Sequence, residues 1–345
     1  MRKPTLHKQL ETLAERLTPI IRMAFLAAIQ DVKNTAILAE IIRAIDAGDM
    51  ARAFAALGFN NAALRPISVA IERAYEAGGI TTTNTFPALQ TGAGARAAFR
   101  FDVRNSRAEA WLRDNSSGLV TRITDDARLS IQNTMTQGVK AGNNPREIAL
   151  DIVGRVDPVT GRRTGGVIGL SAPQEQWVRN ARSELGDPST ASAWFSRTRR
   201  DKRFDSIVRK SIADGTPLDK ATIDRLVGRY SDSMLQLRGE TIARTESIAA
   251  LNRSSHEAFQ QAVDTGAIPN DAVKRIWDSA GPDGRTRDTH LQMNGQAVGM
   301  NEPFRAPDGS LLMFPGDVSL GASPEETINC RCRVRIAVDW LSTGV

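Results

Sequence analysis

The sequence predicts a mainly α protein, with a large helical N-terminal region followed by a small C-terminal α+β domain. Three observations carry this. Over most of the first 270 positions apolar residues recur at three- and four-residue spacing, as on one face of a helix. Aromatics make up only 5% of 345 residues while Ala and Arg are abundant, which suits helices packed through small side chains better than a β-sandwich. Near residue 273 the pattern changes to short runs separated by Asp-Gly and Asn-Gly pairs, the turn chemistry of short strands. The expected division is 1–80 (helical segment), 81–272 (helical region with a basic stretch) and 273–345 (α+β domain).

Leu6, Leu10, Leu13 and Leu17 form an apolar stripe, continued by Ile20, Ile21 and Ala24. Thr18-Pro19 predicts a break, because proline fits only the first turn of a helix. The expectation is a short first helix and a second from Pro19 to about Lys33. Gly48 ends a further helix, and Asp49 caps the next. Gly58 ends that one, and Asn60 or Asn61 opens a helix running to Gly78-Gly79. A polar linker follows, Thr81 to Pro87 and then Gly92-Ala93-Gly94.

The alternation in 99–103 suggests a short extended piece. Asn105 or Ser106 caps a helix through Trp111, and a longer one is expected from about Leu119 to Lys140, stopped by Gly142. Asn144-Pro145 restarts the chain with a cap and a first-position proline. Residues 157–166 are turn chemistry and predict a small projecting hairpin, and Gly165-Gly166 matches no phosphate-binding fingerprint. Helices are expected at 173–185, 219–229 and 231–266.

Apolar content of 41% and charged content of 24% are those of an ordinary globular chain. The net charge of +6 suggests an acidic partner such as nucleic acid. The charge is uneven: residues 273–345 carry a net −1, and 142–213 carry a net +5. Arg197, Arg199, Arg200, Lys202 and Arg203 crowd five cations into seven positions. They read either as a phosphate-contacting patch, with salt-sensitive affinity, or as a solvated turn between helices. Two cysteines one residue apart make no disulfide framework, so a reducing compartment fits. No signal peptide or membrane span is expected, and the chain should be made and kept in cytoplasm, the basic start Met1-Arg2-Lys3 notwithstanding.

The chemistry concentrates in 277–335. An expected strand from Asn329 would put Cys330, Cys332, Val334 and Ile336 on one face and Arg331, Arg333 and Arg335 on the other. His290, on a turn-rich segment, can fold back over the thiols. His with two Cys is a donor set that Zn(II) favours, with Asp288 as the nearest fourth candidate and Asp283 and Glu246 behind it. The alternative is that both cysteines are buried as small apolar residues and His290 hydrogen-bonds Asp288 or a carbonyl. Arg331 on the opposite face would not activate a thiol, which speaks against a Cys nucleophile with His290 as base. Arg244 and Glu246 read as a structural pair and Trp277 as a core residue. His7 and His256 read as packed or solvated helix residues.

The order Ala243-Arg244-Thr245-Glu246, Trp277, Asp288-x-His290, Asn294-Gly295, Phe304 and Cys330-x-Cys332 resembles the Mu F-like head morphogenesis family, minor head proteins of tailed bacteriophages. The resemblance covers roughly the last hundred residues. It implies a minor capsid protein of a phage or prophage, found in the virion at the capsid interior or portal vertex and in host cytoplasm during assembly. It implies association with the portal protein, and with double-stranded DNA and scaffolding or major capsid protein as further partners, without catalysis. A metal- or thiol-dependent hydrolase built on His290, Cys330 and Cys332, and a DNA-binding protein unrelated to virions, are the competing expectations.

Overall fold

Helices hold 62% of the chain, so the class is mainly α, with a small strand-containing region at the C-terminus. The computed structural model describes residues 4–90 and 96–340. Met1 to Lys3, the Gly92 to Gly94 part of the expected linker, and the last five residues of the expected C-terminal domain lie outside them.

The helical part opens with α1 (Leu6–Thr35), α2 (Leu38–Asp46), α3 (Met50–Ala55) and α4 (Asn61–Thr83). A two-residue antiparallel pair follows, β1 (Leu89–Gln90) with β2 (Arg96–Ala97). Then come α5 (Ser106–Lys140) and α6 (Pro145–Val153), and the hairpin of β3 (Arg155–Val156) and β4 (Arg163–Thr164). After them run α7 (Ala172–Leu185), α8 (Asp205–Asp214) and the 45-residue α9 (Lys220–Asp264). The C-terminal part holds β5 (Val273–Asp278), α10 (Asp288–Gln292), β6 (Ala297–Gly299), β7 (Phe304–Arg305), β8 (Leu311–Leu312), α11 (Pro324–Thr327) and β9 (Arg333–Val338). Its antiparallel sheet has the order β6-β5-β9, and β7 pairs with β8 around the Asp308-Gly309 turn.

The caps behave as their chemistry dictates. Asp49 accepts the N–H of Arg52, Asn60 that of Ala63 and Asn144 that of Glu147. Gly48, Gly58 and Gly142 all have positive φ at helix ends.

Four expected breaks are absent. Pro19 lies inside α1, which does not divide there. Leu10, Leu13, Leu17, Ile21, Phe25, Ile29 and Val32 form one buried stripe straight through it. A mid-helix proline costs about 3 kcal/mol, whereas each buried Leu, Ile or Phe returns roughly 1.5–3 kcal/mol. The stripe therefore wins. Gly78 and Gly79 do not end α4. A Cβ on Gly79 would lie 2.3 Å from the Phe101 ring, and one on Gly78 would lie 2.3 Å from Ser254 Oγ. These glycines admit neighbours; they do not stop the helix. The two helices expected within 106–140 are one, and so are the two within 219–266. Residues 99–103 form no strand.

The contacts divide the chain into two compact units, 1–24 with 67–116 and 240–345, and 25–66 with 117–239. The linear division at 80 and 272 does not appear in this grouping, because long helices bring sequence-distant segments together. In the first unit Phe259, Ala262 and Ile268 share a buried cluster with Val273 and Met300, so the C-terminal sheet and the end of α9 have a common core. In the second unit Lys33 is buried and its Nζ donates to the Gly165 carbonyl at 2.7 Å, anchoring the β3–β4 hairpin. Gly165 comes so near Gly228 of α9 that a Cβ on Gly165 would lie 2.8 Å from the Gly228 Cα, which accounts for glycine at 165.

Candidate metal centre

Trp277 sits at the heart of the C-terminal core, 1% exposed, among Met293, Phe304, Leu312, Phe314 and Val334. Its ring meets His290 edge-on at 5.1 Å between centroids and Phe304 at 5.3 Å. His290 is carried by the short helix α10 and is itself 1% exposed. Its Nδ1 lies 3.5 Å from Cys330 Sγ and 3.4 Å from Cys332 Sγ. The three donor atoms fall within 4.8 Å of one another, and all three residues are buried.

The far side of the ring faces a residue that sequence reasoning missed. His290 Nε2 stands 2.7 Å from Glu326 Oε2, and the same carboxylate accepts from Thr289 Oγ1. The approach is off the N–H axis, so it is a short polar contact and not an aligned hydrogen bond. The ring thus has a carboxylate beside Nε2 and both sulfurs beside Nδ1. The local signal was Pro324, six residues before Cys330, which opens the short helix α11 that carries Glu326.

The cysteines do not lie on the strand. β9 begins at Arg333, and Cys330 and Cys332 belong to the irregular segment before it. Arg333 is buried beside Cys332 and Val334, so the strict alternation expected from Asn329 fails here. The thiols still point to one core because a turn aims them. Asn329 has φ +57° and its N–H donates to Thr245 Oγ1 at 3.0 Å. Asn tolerates this left-handed backbone better than most residues. The backbone amide of Cys332 favours the ionised form of Cys330, and that of Ala280 the ionised form of Cys332. The Cys330 thiol donates to Cys332, which with His290 pushes Cys332 down to about 5, while Cys330 is pushed up because it keeps the shared proton.

The expected fourth ligands are elsewhere. Asp288 is exposed and outside the cluster. Asp283 is bound by Arg331 through two contacts of 2.6 Å, which hold its carboxyl well below the usual range. Glu246 is buried and accepts from Asn115 Nδ2 at 2.9 Å. Arg244 is exposed, and residues two apart on a helix face different ways, so the expected Arg244–Glu246 pairing has no support in the helix geometry. The motif residue between them, Thr245, is the one that reaches the cysteine turn.

The basic run is largely neutralised from within. Arg197 pairs with Glu184 at 2.6 Å, Arg200 with Asp205 at 2.9 Å and Arg203 with Asp201 at 2.6 Å. In the same unit a cavity of about 720 Å³ is bordered by Asp151, Arg155, Arg182 and Asp224. These four close a ring of ion pairs at 2.5–3.1 Å, so its charges answer one another. His7 approaches Asp278 at 3.4 Å, and His256 is buried against the Met300 carbonyl. Among the described residues no helix is long and apolar enough to cross a membrane.

Fold and site together define a mainly α protein whose C-terminal strands and turns close over a buried His–Cys–Cys cluster. Residues 129–335 match the family model described as Phage Mu protein F like protein. That is more than half of the chain, which therefore belongs to this family, and membership points to phage head morphogenesis. The match runs well upstream of the C-terminal stretch that carries the motif resemblance, from within α5 into β9. Over 109 residues the chain is 33% identical to "Uncharacterized protein YqbB" of Bacillus subtilis (strain 168), covering 31% of this chain and 33% of that protein. The chain thus spans about a third of the length of that relative. No solved structure matches it.

Proposed function

We propose that the protein is a minor head protein of a tailed phage or prophage that acts by association with the portal during head assembly, without turnover of a substrate. The observation that carries this reading is the family match across 129–335, which takes in the whole His290–Cys332 core and the helices from the later part of α5 to α9. Scaffolding or major capsid protein are the further protein partners proposed. Packaged double-stranded DNA is proposed at the Arg-rich run, through cations that would have to exchange a carboxylate partner for a phosphate.

The test is co-expression with the portal protein of the same phage or prophage, followed by purification through a tag on one partner. Recovery of a stable complex supports the reading. Separate elution of both, under conditions where the portal assembles, overturns it. Binding to DNA that falls steeply with salt, with no portal complex, would instead favour a DNA-binding role outside the virion.

A further inference from the structure

Two thiols and one imidazole nitrogen meet in the core of the first unit, all within 4.8 Å of one another. His290 Nδ1 offers a single lone pair, while two sulfurs stand at nearly equal distances of 3.5 and 3.4 Å. One ring nitrogen makes one hydrogen bond, so it serves a single sulfur while a metal ion would bind both. Their surroundings are closed: Cys330 and Cys332 are each 1% exposed.

A single cation placed among the three atoms answers all of them. Tetrahedral zinc with bonds of about 2.3 Å to sulfur and about 2.0–2.1 Å to nitrogen gives N···S edges of roughly 3.6 Å. The observed separations are close to that value before any ion has drawn the ligands in. Glu326 on Nε2 completes the carboxylate–histidine arrangement that orients a ligating ring. Two sulfurs and a nitrogen are soft to borderline donors, which excludes magnesium and calcium.

We propose that His290 Nδ1, Cys330 Sγ and Cys332 Sγ bind one zinc-class ion, with Glu326 as the positioning carboxylate behind the ring. Among the described residues no fourth His, Cys, Asp or Glu joins the cluster, so the protein supplies three ligands. The ion ties the α10 segment to the turn ahead of β9, two pieces of chain forty residues apart. It is independent of the portal reading, and either can fail alone.

The test uses the full-length chain, purified under reductant, stripped with a chelator and titrated with Co(II) alone. Wild type should take up one equivalent, with thiolate-to-cobalt charge-transfer absorption and the visible bands of tetrahedral cobalt, and Zn(II) should displace it. Cys330→Ser with Cys332→Ser should lose these signals. Glu326→Gln should keep the stoichiometry and weaken zinc affinity by about 10–100-fold. Should the serine variant fail to fold, wild type decides: Zn(II) should slow the reaction of both thiols with a disulfide reagent. Absence of cobalt–thiolate absorption in reduced, folded wild type overturns the proposal. So does equal metal uptake by a folded serine variant, or thiol reactivity that zinc leaves unchanged.

Discussion

Thr245 Oγ1 accepts the backbone N–H of Asn329 at 3.0 Å, and so α9 fixes the entrance to the Cys330–Cys332 segment. Two turns further along the same helix, Asn252 Nδ2 donates to the Pro315 carbonyl at 3.0 Å and reaches that of Cys332 at 3.5 Å. One helix face therefore holds both ends of the segment. Asn252 is 2% exposed, so water cannot stand in for it. Asn252→Leu should cost about 1–3 kcal/mol, because two buried carbonyls lose their donor. Thr245→Val should cost less, about 1 kcal/mol or below, because the Asn329 N–H is exposed and can bond water. Urea unfolding of both variants checks the ranking, and the reverse order would sink this account.

Arg275 should be the most sensitive charged position in the C-terminal core. Its side chain is fully buried, stacks on Phe304 at 5.2 Å, and donates to the carbonyls of Gly299, Glu302 and Met313. Burial pulls its pKa down to about 10, so it stays charged at neutral pH. Arg275→Met removes the donor and leaves three carbonyls behind, at about 1 kcal/mol each, for a total loss of about 3 kcal/mol. Arg275→Lys keeps the charge but not the planar fork, and should recover less than half of that loss. Full recovery by lysine would show that the charge alone matters.

Caps and turns were legible in the sequence because each is decided by neighbouring residues: Asp49, Asn144 and Gly142 need only their own helix end. The grouping of His290 with the two cysteines was legible too, since few residue types can form such a cluster. What stayed hidden depended on distant packing. Pro19 signals a break locally and is overruled by the stripe from Leu10 to Val32. Gly78 and Gly79 resemble a helix stop until Ser254 and Phe101 are brought against them. Glu326 and Asn252 carry no motif of their own, Thr245 was passed over within its motif, and only the folded chain shows what they hold. Asp288 looked like a ligand because it is near His290 in sequence, but on α10 it faces solvent.

Gly79→Ala should destabilise although alanine is the better helix former. On an open helix face the change would gain about 1 kcal/mol. Here the new methyl would lie 2.3 Å from two ring carbons of Phe101, and that ring is packed on Tyr75 at 5.8 Å. Displacing it should cost about 1–3 kcal/mol and reverse the sign. Gly118→Ala in α5 is the control, since its nearest neighbour is the end of the Arg122 side chain at 3.3 Å. Thermal melting should fall for the first variant and hold or rise for the second. Parallel shifts would show that helix propensity, not contact, sets the effect.

His256 should make the protein acid-sensitive. It is 6% exposed, its Nε2 donates to the Met300 carbonyl at 3.2 Å, and Arg253 approaches Nδ1 at 3.4 Å. Burial first, then the charges of Arg275, Arg253 and Arg107, push its pKa down to about 3. In the unfolded chain the ring titrates near its ordinary value of about 6.5. Above that pH neither state holds the proton and His256 costs nothing. Below it the unfolded state takes up a proton that the native state refuses until about pH 3. Stability should therefore fall with pH across that window, by up to about 1.4 kcal/mol per unit from this group. His256→Gln keeps a donor for Met300 and removes the titration. Wild type should lose about 2 kcal/mol relative to that variant between pH 6.5 and 5 by urea unfolding. Equal pH profiles for the two proteins would mean that the native ring accepts its proton as readily as the unfolded one.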